Sequence, residues 1–132
     1  MQTFALNRTG LPDLTFTGEL LATVTGDDPD GMTEGRYHSI STYRTDDGQY
    51  VVCIECHSPF DSEMSDSIAE AVDTVEEIEA TLSLYDPAER LNSELFAQND
   101  RTSQQAVASC LTKRFDRLVL QMLNAMESVA RV

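Results

Sequence analysis

The sequence predicts an α+β fold: an antiparallel meander of three to four strands, followed by a short helix and a long C-terminal helix packed on one sheet face. Three features predict it. Alternating apolar and polar residues, broken by turn signals, fill positions 13–57; a capping-box sequence stands at Thr74–Glu77; and an apolar four-three rhythm runs through the C-terminal part. Strands that come first and helices that come after read as α+β. The chain has 132 residues, a length that fits one domain. At that size folding buries roughly two-thirds of the unfolded surface, enough for a core without metal or disulfides. We divide it into an N-terminal arm (1–12), a sheet (13–73) and a helical part (74–132).

Residues 1–12 show no periodicity and end in Gly10-Leu11-Pro12, which reads as a lead-in. Asp13–Thr25 is the first strand. Leu14, Phe16, Leu20, Ala22 and Val24 share one parity and Thr15, Thr17, Glu19, Thr23 and Thr25 the other, the pattern of a half-buried strand. Gly18 falls on the apolar side and predicts a bend or a close approach by a neighbour. Gly26-Asp27-Asp28-Pro29-Asp30-Gly31 is a loop. Tested as a calcium-binding EF-hand loop with Gly31 as its central glycine, it places Gly26 at the first ligand position and Tyr37 at the last. The pattern fails at both ends, and a solvated acidic turn is expected.

The strongest local signal is Arg36–Ser58, two runs rich in Tyr, Val, Ile, Thr and Ser around Asp46-Asp47-Gly48. This is a hairpin. A two-residue Asp47-Gly48 turn would pair Arg44 with Val51. A three-residue Asp46–Gly48 loop, with glycine in the left-handed conformation, would pair Arg44 with Tyr50, Thr42 with Val52 and Ile40 with Ile54. Side chains alternate with a period of two, so loop length decides which faces match. The three-residue loop gathers Ile40, Thr42, Tyr50, Val52, Ile54 and Cys56 on one face. Tyr37, Ser39, Ser41, Tyr43, Val51, Cys53, Glu55 and His57 share the other. That separation is the cleaner one, and the three-residue loop is expected.

Ser62–Tyr85 admits two readings. Met64, Ile68, Val72, Val75, Ile78, Leu82 and Tyr85 would suit one amphipathic helix. Thr74-Val75-Glu76-Glu77 is instead a capping box with acidic residues in the first turn, where they meet the positive end of the helix dipole. We therefore read Asp66–Asp73 as a fourth strand and a helix from Val75 to Asp86-Pro87, where proline disfavours continuation. A long helix follows from Thr102 or Ser103, either of which can cap it. Leu111, Phe115, Leu118, Met122, Ala125 and Val129 form its core stripe. Val119, Leu120, Leu123 and Met126 lie outside that stripe, and an apolar girth this wide predicts burial against a second copy of the chain.

Nine basic against 23 acidic residues give a net charge of −14. The charge is uneven: −6 over residues 1–60, −11 over 61–100 and +3 over 101–132. Such a surface repels phosphate backbones at long range, against direct nucleic-acid binding. No stretch reads as a membrane span, the longest nearly apolar run, Leu118–Met126, being interrupted by Gln121 and Asn124. The N-terminus lacks a basic start and an apolar signal region, so a cytoplasmic location is expected.

Cys53-Ile54-Glu55-Cys56-His57 has the spacing of a c-type haem attachment site. Its setting argues otherwise: in a strand, residues three apart point to opposite faces, and Cys56 shares its face with apolar core residues. Zinc would need further ligands from His38 or the distant Cys110, and a redox pair belongs at a helix N-terminus. No cofactor and no metal site is expected. Tyr37, Tyr43, Glu55 and His57 share one hairpin face and are the candidate binding residues; Glu55 and His57 could also form an acid–base pair. No catalytic residue is assigned. The favoured reading is a small acidic, non-catalytic interaction or regulatory module that homodimerises and meets an unidentified protein partner. The alternatives are a small enzyme or ligand binder using His57, Glu55 and Tyr37, and an acidic nucleic-acid mimic built on residues 61–100.

Overall fold

The computed structural model describes residues 1–60, 66–89 and 101–130. Five strands precede two helices: β1 (Gln2–Arg8), β2 (Leu11–Thr25), β3 (Tyr37–Thr45), β4 (Tyr50–His57), β5 (Asp66–Val72), α1 (Val75–Leu84) and α2 (Arg101–Ala130). The strands pair in chain order, each antiparallel to the next. Both helices pack on one face of the sheet. The α+β meander is as expected, with one strand more. Residues 2–8, read from sequence as an arm, pair with β2 from Gln2–Gly18 to Arg8–Leu11. Met64, the connection at 90–100 and the side chain of Val129 lie outside the described residues.

The central hairpin has the three-residue loop. Arg44 pairs with Tyr50, Thr42 with Val52 and Ile40 with Ile54. Thr45 N donates to Gln49 O at 2.9 Å and closes the loop, while Gly48 takes a φ of 87°, the left-handed region that only glycine enters freely. After β5 the chain turns into α1 where the capping box stands. Glu77 N donates to Thr74 Oγ1 at 3.2 Å, and Glu77 Oε2 accepts from Asp73 N at 3.1 Å, one residue before the cap. The strand-then-helix reading of this segment holds. α2 begins at Arg101, just before the hydroxyls expected to cap it.

The main core lies between the sheet and α2. Ile40, Val52, Ile54 and Val72 from the sheet meet Ile78 and Leu82 of α1 and Phe115, Leu118, Met122 and Met126 of α2. The opposite sheet face is not solvated as its polar residues imply; it holds a second core. β2 runs for 15 residues and bends at Gly18, where an added Cβ would sit 2.1 Å from Arg44 O. A register shift between Leu20 and Ala22 follows. Such a bulge turns side chains over. Phe16 therefore faces the outer side with Tyr43, while Ala22 and Val24 face α2. The single apolar parity of β2 thus serves two faces, not one. The bend folds β1 and the first half of β2 over the outer face, where Phe4, Phe16 and Tyr43 form an aromatic cluster with ring centroids 4.8–5.4 Å apart. Val51, Cys53 and Ala69 are buried on the same side. Thr9 N donates to Ser67 O and Ser67 N to Thr9 Oγ1, both at 2.9 Å. These bonds tie the end of the first strand to the start of the last.

Candidate functional site

Where β1 folds over β4 and β5, a groove of about 310 Å³ opens. Ala5, Leu6 and Asn7 form one wall, and Cys53, Glu55 and His57 of β4 with Ser67 of β5 form the other. The walls follow from strand alternation: Cys53, Glu55 and His57 are successive outward positions of one strand. His57 stacks on Tyr37, its cross-strand partner, with centroids 4.6 Å apart and planes 16° apart. Its Nε2 lies 3.3 Å from Glu55 Oε2. Three of the four residues proposed from sequence thus meet at one place. The fourth, Tyr43, does not: it is locked between Phe4 and Phe16, and burial raises the pKa of its hydroxyl. Sequence reasoning missed Ser67 and the β1 wall, because residues 1–12 carry no alternation that marks them as a strand.

The same geometry decides the paired cysteines. β4 is extended throughout Tyr50–His57, so Cys53 faces the outer core and Cys56, paired with His38, faces the helices. Two sulfurs on opposite faces cannot grip one haem edge or one zinc ion. Burial, and secondarily the Glu55 carboxylate, push the Cys53 thiol up to about 11, against a smaller opposing effect of the Ser67 hydroxyl. At neutral pH it is a protonated thiol and a poor nucleophile. Among the described residues no three His, Cys, Asp or Glu side chains converge as metal ligands.

The acidic loop after β2 is a clamp, not the solvated turn expected. Burial would by itself raise the pKa of Asp28, but its carboxylate accepts from Gly35 N at 2.7 Å and Thr33 N at 3.0 Å and meets Arg114 Nη1 at 2.7 Å. The hydrogen bonds win, and the carboxyl titrates well below its ordinary range. Arg114 Nη2 also reaches Asp30 Oδ1 at 2.5 Å, which bolts the loop to the middle of α2. A guanidinium holding two carboxylates in a fixed fork is a strong, directional contact. Exchange of Arg114 for Met leaves the Asp28 carboxylate, 6% exposed, without its counter-ion. The expected cost is about 2 kcal/mol, the scale of a lost hydrogen-bonded charge partner, read as a lower urea midpoint with an unchanged slope. A wild-type midpoint in that variant contradicts the clamp.

His38 is the third unusual group. It lies 2% exposed in the main core, edge-on to Phe115 at 5.2 Å and Tyr85 at 5.5 Å. Its Nε2 is buried without a hydrogen-bond partner. Burial, and secondarily the charge of nearby His57, push its pKa down to about 4.

Of the residues expected to meet a second copy, Met126 belongs to the domain's own core at 1% exposure, because α1 and the sheet cover that flank of α2. Val119 packs against the same core and Leu123 is half-buried, whereas Leu120 stands 62% exposed. The acidic segment 61–100 lies partly outside the described residues; within it Glu70, Asp73, Glu76, Glu77 and Glu79 are exposed. No helix among the described residues is long and apolar enough to cross a membrane. Searches against protein-family models, curated proteins and solved structures find no match for this chain.

Proposed function

We propose that this chain is a small acidic interaction module that holds an extended segment of a partner protein in the groove between β1 and the β4–β5 end of the sheet. The observation that carries it is the composition of that groove: the β1 segment Ala5, Leu6 and Asn7 faces a polar wall from Glu55, His57 and Ser67, backed by the Tyr37–His57 stack. An aromatic pair with a polar tip supplies contact area and hydrogen bonds at little entropic cost, the usual anchor of a recognition surface. The groove thiol is silenced by burial, which favours binding over covalent catalysis. A displayed library of random extended peptides tests the reading. Peptides enriched on the wild type should bind with dissociation constants of about 1–100 μM, the range of modest peptide grooves. They should perturb backbone amide signals at Ala5–Thr9 and Glu55–His57. Tyr37→Ala, which removes the stack, should weaken them about tenfold or more. Failure to enrich any peptide, or binding that maps to α2 instead, overturns the reading.

A further inference from the structure

We infer that the hollow between the acidic loop and α2 is a binding site for a small organic anion with an apolar body, separate from the β1 groove. The hollow has a volume of about 410 Å³, a size that suits small molecules. Ala106, Cys110, Lys113 and Arg117 of α2 form one wall. At about 100° per residue these four fall within about 60° of one another, a single stripe about 16 Å long. Its first half is apolar and its second half cationic. Asp30 and Met32 of the loop form the opposite wall, where Met32 stands 53% exposed.

The charges name the head group. Lys113, Arg114 and Arg117 are three of the chain's nine basic residues, set within five positions of a chain that carries 23 acidic ones. Only Arg114 is neutralised. Asp28 and Asp30 are both committed to it, and Asp30 also accepts from Met32 N at 3.2 Å. Asp27 shares the adjacent hollow with Arg117, and Asp116 lines the hollow on the other flank of α2. Lys113 and Arg117 are exposed and make no salt bridge or hydrogen bond among the described residues. Like charges four residues apart on a helix repel, and an anion held between them replaces that repulsion with attraction. An inorganic anion would leave the other half of the space empty. Ala106, Cys110 and Met32 border that half, so the ligand that fits carries an apolar body. The Arg114 fork fixes the loop wall before a ligand arrives, which lowers the cost of binding. At long range the net charge of −14 repels anions, so affinity rests on contact within the hollow.

Titration of the full chain with 8-anilinonaphthalene-1-sulfonate tests the inference, followed by fluorescence and by backbone amide signals, with circular dichroism to confirm that each variant folds. The probe should bind with a dissociation constant of about 10–100 μM, the scale that ligand efficiency allows about twenty non-hydrogen atoms. It should shift amides at Asp30–Met32 and Ala106–Arg117, and slow alkylation of Cys110 by iodoacetamide. Lys113→Gln and Arg117→Gln should each weaken binding about threefold, and the double exchange about tenfold, as fits exposed ion pairs. N-phenyl-1-naphthylamine, the same ring body without the sulfonate, should bind about tenfold more weakly. No binding to the folded wild type overturns the inference and leaves the groove reading untouched. Shifts confined to Ala5–Thr9 and Glu55–His57 place the probe in the groove and overturn it too. Binding indifferent to the double exchange, or equal for the neutral probe, shows that the two cations hold nothing and overturns it as well.

Discussion

Substitution of Gly18 by alanine should destabilise the domain by about 3 kcal/mol or more, the largest effect expected of any single methyl group in the molecule. The added Cβ would stand 2.1 Å from the Arg44 carbonyl oxygen and 2.9 Å from Thr45 Cα. Both are backbone atoms of β3, so no rotamer change relieves the overlap. Either β2 lifts away or the sheet opens. Gly48→Ala is the informative contrast: its φ of 87° carries strain, but nothing lies within 4 Å of the new methyl, so the cost should be about 1 kcal/mol. Thermal melts should therefore separate the two variants by several degrees, with Gly18→Ala unfolding at roughly 10 °C below the wild type. Equal losses would mean that glycine flexibility, and not the close approach of β2 to the β3 backbone, explains Gly18. The close approach bears on the proposed binding groove, because the bend at Gly18 carries β1 over the sheet and so forms one of its walls.

The second large effect is pH-dependent and belongs to His38. An unfolded histidine protonates near 6.5, whereas the folded ring resists protonation down to about 4. Across that window the unfolded chain binds the extra proton, so stability is full above about 6.5 and falls as the pH drops toward 4. At about 1.4 kcal/mol per pKa unit, the loss is on the order of 3 kcal/mol. His38→Phe fills a similar shape between Tyr85 and Phe115 and removes the orphaned Nε2. It should stabilise the protein modestly at pH 7.5, by about 1 kcal/mol, and much more at pH 5, flattening the decline between 6.5 and 4. Denaturant midpoints of both proteins across this range measure it. Parallel pH profiles would show that other groups set the acid sensitivity. Asp28 acts in a separate window: its depressed carboxyl contributes stability that is present above the ordinary value of 3.8 and lost as pH falls below it.

What could be read from sequence depended on whether the signal was local. The three-residue hairpin loop was legible because Asp46-Asp47-Gly48 and two alternating strands constrain one another. The start of α1 was legible because a capping box needs only four consecutive residues. β1 was not, since Gln2–Arg8 acquires its strand character from pairing with β2 and from burial of Phe4 against Tyr43, both long-range effects. The bulge after Leu20 was hidden for a related reason. Its two halves keep one apolar parity in sequence, and only the change of face reveals the extra residue. Tyr37, Glu55 and His57 could be grouped because they share one hairpin face. The wall opposite them comes from 50 residues away in the chain (Ala5 to Glu55), and nothing local announces it. Asp28 looked like a solvent-exposed loop acid, because its partner Arg114 lies on the last helix.

The groove is held to be a binding surface, and the Cys53 thiol on its wall a packed core group without reactive character. Residue-resolved alkylation by iodoacetamide at pH 7.5, followed by mass spectrometry of the three cysteines, puts that claim to its most direct test. Cys110, partly exposed on α2, should label first, and Cys53 and Cys56 about 100-fold more slowly or only on unfolding, since a buried protonated thiol does not attack. Cys53 reacting as fast as Cys110 in the folded protein would contradict the account and return the groove to the reactive sites.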